Sequence, residues 1–206
     1  MGFTAVTAAS GRARWQKVAR RVRVPLGFVV AALFLAFARP SVRTLAWSLI
    51  LVLPGLWLRA YAAGYVRKNA ELTRTGPYAY TRNPLYLGSM AIAFGFAVAA
   101  GAVSAGRWWL GALLVTMFLG IYVPTILSEE SFLRAAFADF EEYARQVPRL
   151  LPRLTPARFK GSAPGAGSFS AQQYLHHREY NASMGAAAIY AALALRLWLS
   201  SWAGVR

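Results

Sequence analysis

The chain contains no cysteine, which excludes disulfides and thiolate metal sites. Histidine is nearly as scarce, with only His176 and His177 among the 206 residues. Side chains at neighbouring helical positions diverge, which argues against a metal pair and leaves interfacial anchoring or hydrogen bonding as their role. Acids are few as well, seven against 23 Lys and Arg, for a net charge of +16. Internal repeats are absent. The fragment Gly165-Ala166-Gly167 has no strand before it, so a dinucleotide-binding fingerprint is not supported. Beyond Ser48 and Thr116, no line of polar residues runs through the apolar segments, which argues against a transporter.

Apolar sequence is abundant instead: 57% of the residues are hydrophobic and 14% aromatic. A membrane span takes about 20 mostly apolar residues. Five segments approach or meet that length, about Val24 to Ala38, Leu45 to Tyr65, Leu85 to Val103, Trp108 to Leu127 and Met184 to Trp202. The first is the shortest, and a re-entrant or interfacial piece is its alternative. A cleaved signal peptide does not fit, because no small-residue cleavage site follows the apolar run before Arg39.

The distribution of positive charge separates a membrane protein from a nucleic-acid binder. Arg12, Arg14, Lys17, Arg20, Arg21 and Arg23 precede the first span. Arg67, Lys68, Arg74 and Arg82 lie between the second and third, and a further cluster from Arg134 to Arg178 lies between the fourth and fifth. Arg39, Arg43, Arg107 and Arg206 alone fall on the other side. This is the positive-inside pattern, with the N-terminus cytoplasmic and the basic clusters against anionic lipid. No nucleic-acid partner is expected.

The expected fold is therefore all-α: a polytopic membrane helix bundle of about five spans with a cytoplasmic amphipathic helix. It reads as one membrane domain: a basic N-terminus (1–23), a first helical hairpin (24–65), a core (66–152), a Pro/Gly/Ser-rich linker (153–173) and a C-terminal helix (174–206). The short connections FARPSVRT and GAVSAGRW predict that spans one and two, and three and four, pair as antiparallel hairpins. From Ser131 to Gln146, Phe132, Leu133, Ala136, Phe137, Phe140 and Tyr143 recur at helical spacing, which predicts one amphipathic helix on the membrane. Val147-Pro148 ends it.

Polar chemistry concentrates in LTRTGPYAYTRNPLYLG, Leu72 to Gly88. Gly76-Pro77 marks a tight turn, and Asn83-Pro84 predicts a helix start with Asn as cap and Pro at the first position. Such a start favours an anion, and Arg82 adds a planar fork of donors. The plainer alternative is a belt of interfacial aromatics, caps and positive-inside arginines. Glu129 and Glu130 follow the fourth span and would sit at the same cytoplasmic level as Arg82. Pro124 can kink the helix before them. A pocket of this kind suits a zwitterionic ligand, and a simple Glu–Arg ion-pair cluster is the alternative.

GPYAYTRNPLYLG followed by EESFLRAAFADFEEYARQVPRLLP resembles the integral-membrane methyltransferase family of isoprenylcysteine carboxyl methyltransferases and phospholipid N-methyltransferases. The resemblance spans Thr75 to Pro152. It implies that S-adenosylmethionine binds on the cytoplasmic side, with Gly76, Pro77, Tyr78, Arg82, Asn83, Pro84, Tyr86, Gly88, Glu129 and Glu130 as cofactor-binding residues. Arg82, Glu130, Tyr143 and Arg149 are the catalytic candidates by the same resemblance, and no metal is implied. The implied partner is a lipid or a lipidated small-molecule or peptide acceptor, reached from the membrane. Carboxyl methylation of isoprenylcysteine type leads, with phospholipid N-methylation or a non-catalytic lipid-binding role as alternatives. Many members of that family carry His where this chain has Asn83, and an amide cannot titrate near neutral pH.

Overall fold

The computed structural model describes residues 29, 32–67, 71–102, 107–159, 167–202 and 204. The basic N-terminal cluster, most of the first expected span, residues 103–106 and residues 160–166 of the 153–173 linker lie outside the described residues. The chain divides into two units, Met1–Ala38 and Arg39–Arg206. In the first, residues 32–37 are helical. The second contains six α-helices and one 3-10 helix, and no strand occurs among the described residues.

Helix α1 spans Val42–Tyr65 and starts on a capping box: the Ser41 hydroxyl accepts from Thr44 N at 3.1 Å, and Thr44 Oγ1 accepts from Ser41 N at 2.9 Å. This satisfies two of the amides that a helix start leaves bare. The 3-10 helix Gly76–Ala79 leads to α2, Pro84–Ala99, where Pro84 stands at the first helical position as expected. Helices α1 and α2 run antiparallel and form the most extensive helix pair among the described residues. Small residues allow the approach: a Cβ at Gly55 would lie 2.8 Å from Gly88 O, one at Gly88 would lie 2.7 Å from Gly55 O, and one at Gly95 would lie 3.1 Å from Ser48 O. Backbones this close are the usual way helices associate in lipid, where apolar side chains gain little from meeting each other.

Helix α3, Trp108–Ala136, is 29 residues long. It continues past Leu127, the expected end of the fourth span, because Ser128 to Ala136 is rich in helix formers. At 1.5 Å per residue it measures about 43 Å, longer than the roughly 30 Å hydrocarbon core of a bilayer. The single amphipathic helix expected over 131–146 is thereby divided. Its first part is the end of α3, Phe137 is an extended cap, and α4, Phe140–Gln146, follows a turn. Its apolar side also divides: Phe140 and Tyr143 enter a small protein core with Val147 and Ala157, while Phe132 is exposed. As expected, Val147 ends α4 in extended conformation.

A short helix α5, Ala171–His176, precedes α6, Tyr180–Trp202. Helix α6 meets α1 through Ser48 Oγ and Tyr190 OH, 2.6 Å apart. By length and composition, α1, α3 and α6 are long and apolar enough to cross a membrane, and the 16-residue α2 is a shorter apolar helix.

Candidate functional site

The two motif segments, far apart in sequence, meet along a seam of main-chain hydrogen bonds. Arg82 N donates to Pro148 O, Arg153 N to Tyr80 O and Ala157 N to Ala79 O, each at 2.9 Å. Side chains reinforce it: Thr81 Oγ1 donates to Leu150 O at 3.1 Å, and Asn83 Nδ2 donates to Arg149 O at 2.9 Å. Asn83 is the N-cap residue of α2 by position, but its side chain makes no capping bond. The carbonyl of Arg149 takes the amide donor instead, and α2 begins without a side-chain cap.

The seam places Arg82 and Arg149 around Glu130, whose side chain is only 5% exposed in the C-terminal part of α3. Arg149 grips the carboxylate with two donors, Nε to Oε1 at 3.0 Å and Nη2 to Oε2 at 2.9 Å. Arg82 Nη1 stands 3.6 Å from Oε1 as a second ion-pair partner. The Arg82 guanidinium also lies over the Phe140 ring, 6.0 Å from its centroid, and its buried Nε has no hydrogen-bond acceptor in the protein. Glu130 thus faces two cations, and the geometry is bidentate on one of them, the strong form of a carboxylate–guanidinium pair. The hydrogen bond to Glu130 pushes the Arg149 guanidinium pKa up, so this cation stays charged.

Beneath this group Tyr143 OH donates to Tyr78 O at 2.9 Å. Burial pushes the Tyr78 hydroxyl well above its ordinary value, and the nearby Tyr143 adds to the effect. Burial raises Tyr143 too, against the pull of the Arg82 charge. Both phenols are therefore neutral across the physiological range.

The other sequence candidates are placed as follows. Gly76 has φ of +57°, and a Cβ there would lie 2.5 Å from the Tyr65 ring, so it serves the turn and its packing. Gly88 serves the α1–α2 crossing. Pro77 and Pro84 start their helices. Tyr86 sets its ring edge against Tyr122, centroids 5.3 Å apart, and Tyr122 stacks on Phe118 at 4.2 Å. Glu129 is exposed, and among the described residues it makes no ion pair or hydrogen bond. Its charge nevertheless contributes to the raised pKa of Tyr78.

Among the charged pairs that the sequence reading does not anticipate, one is largely buried. Arg59, inside α1, holds Glu179 with Nε to Oε2 at 3.1 Å and Nη2 to Oε1 at 3.0 Å. An arginine within an apolar span is itself a signal that a partner exists. Among the described residues no three His, Cys, Asp or Glu side chains gather as a metal site would require.

The phospholipid methyltransferase family model matches residues 26–139, more than half of the chain. The chain belongs to the phospholipid methyltransferase family. The matched residues include Arg82 and Glu130 and stop before Tyr143 and Arg149. Two relatives are similar over parts of their length. The chain is 35% identical over 100 residues to the nickel-cobalt-cadmium resistance protein NccN of Alcaligenes xylosoxydans xylosoxydans, covering 48% of this chain and 44% of that relative. It is 33% identical over 142 residues to the cobalt-zinc-cadmium resistance protein CzcN of Cupriavidus metallidurans, covering 65% of this chain and 62% of the relative. The chain thus spans less than two thirds of either relative's length. No solved structure matches it.

Proposed function

We propose that this protein is an S-adenosylmethionine-dependent methyltransferase acting at the cytoplasmic membrane interface on a lipid-like acceptor, with an isoprenylcysteine-type carboxyl group as the preferred acceptor. The observation that carries this reading is the buried Glu130 between Arg82 and Arg149, beside an Arg82 Nε that has no acceptor in the protein. A buried donor left unpaired costs about 1–3 kcal/mol, and a bound carboxylate would remove that cost.

The residues present fit the cofactor. Its amino-acid carboxylate suits Arg82 and the start of α2, which lacks a side-chain cap. Its ammonium group and ribose hydroxyls suit Glu129, the acid without a side-chain partner among the described residues. The half-buried Tyr86 offers a ring for the base. When bound, S-adenosylmethionine supplies a methyl group already activated on a sulfonium. The chain's own contribution is orientation and exclusion of water, and orientation alone is worth about 7–11 kcal/mol. Arg149, with half of its side chain exposed and Nη1 outside its fork on Glu130, is placed to orient an acceptor carboxylate.

The choice of acceptor follows from where protons can go. An amine must lose its proton before it attacks, whereas a carboxylate needs no base. Tyr78 and Tyr143 are held in the protonated form, and the Glu130 carboxylate is engaged by two arginines. These facts support a carboxylate acceptor. A phospholipid amine is the second reading, favoured by the family's description.

The reading includes five membrane crossings with the N-terminus and the site in the cytoplasm, supported by the three long apolar helices and the placement of arginines. The relatives are named for metal resistance, and a shared role would act through methylation of a membrane component.

Calorimetric titration with S-adenosylhomocysteine, wild type against Glu130→Gln, tests the cofactor. Transfer of labelled methyl groups to a prenylated cysteine analogue or to phosphatidylethanolamine vesicles then separates the acceptors. Micromolar binding that weakens in Glu130→Gln supports the reading. A folded wild type that binds nothing overturns it in favour of a non-catalytic lipid-binding protein.

A further inference from the structure

The C-terminal helix lies outside the matched family region, yet the segment leading into it is fastened to the elements that carry the site. Thr75 Oγ1 donates to Gly167 O at 3.3 Å, immediately before the Gly76 turn. Ser170 N donates to Gly64 O at 2.9 Å, and His177 Nε2 lies 3.2 Å from Val66 O. A Cβ on Gly64 would run into the Phe169 ring at 2.3 Å, so this segment lies tightly on the end of α1.

The last fastening is ionic. Glu179 takes Nε and Nη2 of Arg59, at distances of 2.8 to 3.1 Å over three contacts. Nη1 of the same guanidinium turns the other way, towards α2, where it donates to Leu85 O at 3.4 Å and to Ser89 Oγ. Ser89 Oγ also donates to Leu85 O at 2.9 Å, which closes a small ring of polar contacts on the first turns of α2. Gly88 makes the space: a Cβ there would lie 2.8 Å from Arg59 Cγ. The two side chains are largely buried, 22% exposed for Arg59 and 14% for Glu179. A guanidinium at this depth keeps its charge at low cost only while its carboxylate is present.

We propose that Arg59 and Glu179 are positioning residues for the methyltransferase site: Glu179 fixes the Arg59 guanidinium, and Nη1 of Arg59 fixes the first turns of α2, which carry Tyr86 directly after the Arg82-Asn83-Pro84 corner. The inference rests on the cofactor reading for its effect on affinity. It gives the helix beyond the family core a task in the site. It also explains why a bidentate, planar cation stands at residue 59, since a lysine could not serve Glu179 and Leu85 along two edges at once.

The test compares wild type, Glu179→Gln, Glu179→Asp and Arg59→Lys in detergent, well below their melting temperatures. Glu179→Gln and Arg59→Lys are expected to weaken S-adenosylhomocysteine about five- to tenfold, in the range of coupling through packed networks. The cofactor KM should rise while kcat holds, and Glu179→Asp should restore affinity to about twice the wild-type Kd or better. Hydrogen exchange of the 83–90 segment should accelerate in Glu179→Gln and return in Glu179→Asp. Wild-type affinity in Glu179→Gln overturns the proposal, as does a loss that Asp does not rescue. If the folded wild type binds no S-adenosylhomocysteine, the cofactor reading fails by itself. Exchange then decides the pair: unchanged exchange at 83–90 overturns it, and acceleration rescued by Asp upholds it.

Discussion

Replacing Arg149 by alanine removes the two-donor grip on Glu130 but leaves the Arg149 carbonyl, and with it the bond from Asn83 Nδ2, in place. The substitution therefore isolates the guanidinium. Taking one partner from a buried ion pair costs about 3–5 kcal/mol, because the remaining charge keeps its desolvation penalty. Two features of the site reduce that figure. Arg149 is 51% exposed, so water already screens part of the interaction, and Arg82 remains 3.6 Å from the carboxylate to carry some of its charge. We expect a loss of about 1.5–2.5 kcal/mol, which corresponds to a fall of roughly 3–10 °C in melting temperature for a chain of this size.

Thermal unfolding of the four proteins of a double-mutant cycle, wild type, Arg149→Ala, Glu130→Gln and the double variant, measures the coupling. In the Glu130→Gln background the alanine substitution should cost under about 0.5 kcal/mol, since no buried charge is left to orphan. The deficit of Arg149→Ala should also be constant between pH 7 and pH 10. The hydrogen bond to Glu130 raises the Arg149 pKa further above its already high ordinary value. The stability this contributes is therefore complete throughout that range and is lost only at far more alkaline pH. Additive losses in the cycle would refute the argument, because they would mean that the fork on Glu130 contributes nothing measurable in solution.

Other expectations concern the surroundings of that pair. Gly88→Ala forces a methyl to within 2.7 Å of Gly55 O and 2.8 Å of Arg59 Cγ, which should cost about 1–3 kcal/mol by overpacking, read as a lowered melting temperature. The raised pKa values of Tyr78 and Tyr143 predict that stability is complete below about pH 10, the unfolded value, and falls as the pH climbs above it. Unfolding scans from pH 8 to 11 on wild type and Tyr143→Phe check this, and the decline should be shallower in the variant, which has one buried phenol fewer. Because the chain has no cysteine, single thiols report topology without background. Val42→Cys should react with an impermeant maleimide on intact cells, and Leu154→Cys only after permeabilisation.

Much of the site was legible because it is made of local signals that happen to come together. Gly76-Pro77 turns, Pro84 starts a helix, Val147-Pro148 ends one, and the acidic pair follows the apolar run of α3. Failures occurred where a tertiary partner outbid a local preference. Asn83 has the sequence context of a cap, but the Arg149 carbonyl, 66 residues away, takes its amide. The expected helix over 131–146 has an unbroken apolar period, yet a turn at 137–139 lets Phe140 and Tyr143 close a protein core. Hydropathy also ended α3 too early, because apolarity measures the width of the membrane and helix propensity measures the length of the helix; in α3 the two differ, and that difference carries Glu130 to Arg82.

Arg59 shows the same limit from the other direction. Nothing near it in sequence could pair with it, and its carboxylate lies 120 residues later, at the edge of a helix that the matched family region does not reach. A composition argument still contains the clue. With seven acids against 23 basic residues, a carboxylate placed directly before an apolar helix is spent on something specific, and an arginine within an apolar helix needs such a partner. Glu179 meets that condition directly before α6, while Glu130 stands within α3 after its apolar run, and each is held by a two-donor arginine fork. The two forks stand on either side of the same corner: Glu130 is gripped by Arg149, whose carbonyl holds Asn83, and Glu179 grips Arg59, which holds Leu85. The segment from Arg82 to Ser89 is thus fixed from both sides by ion pairs whose carboxylates are largely buried, so its placement depends on charge that is costly to leave unpaired.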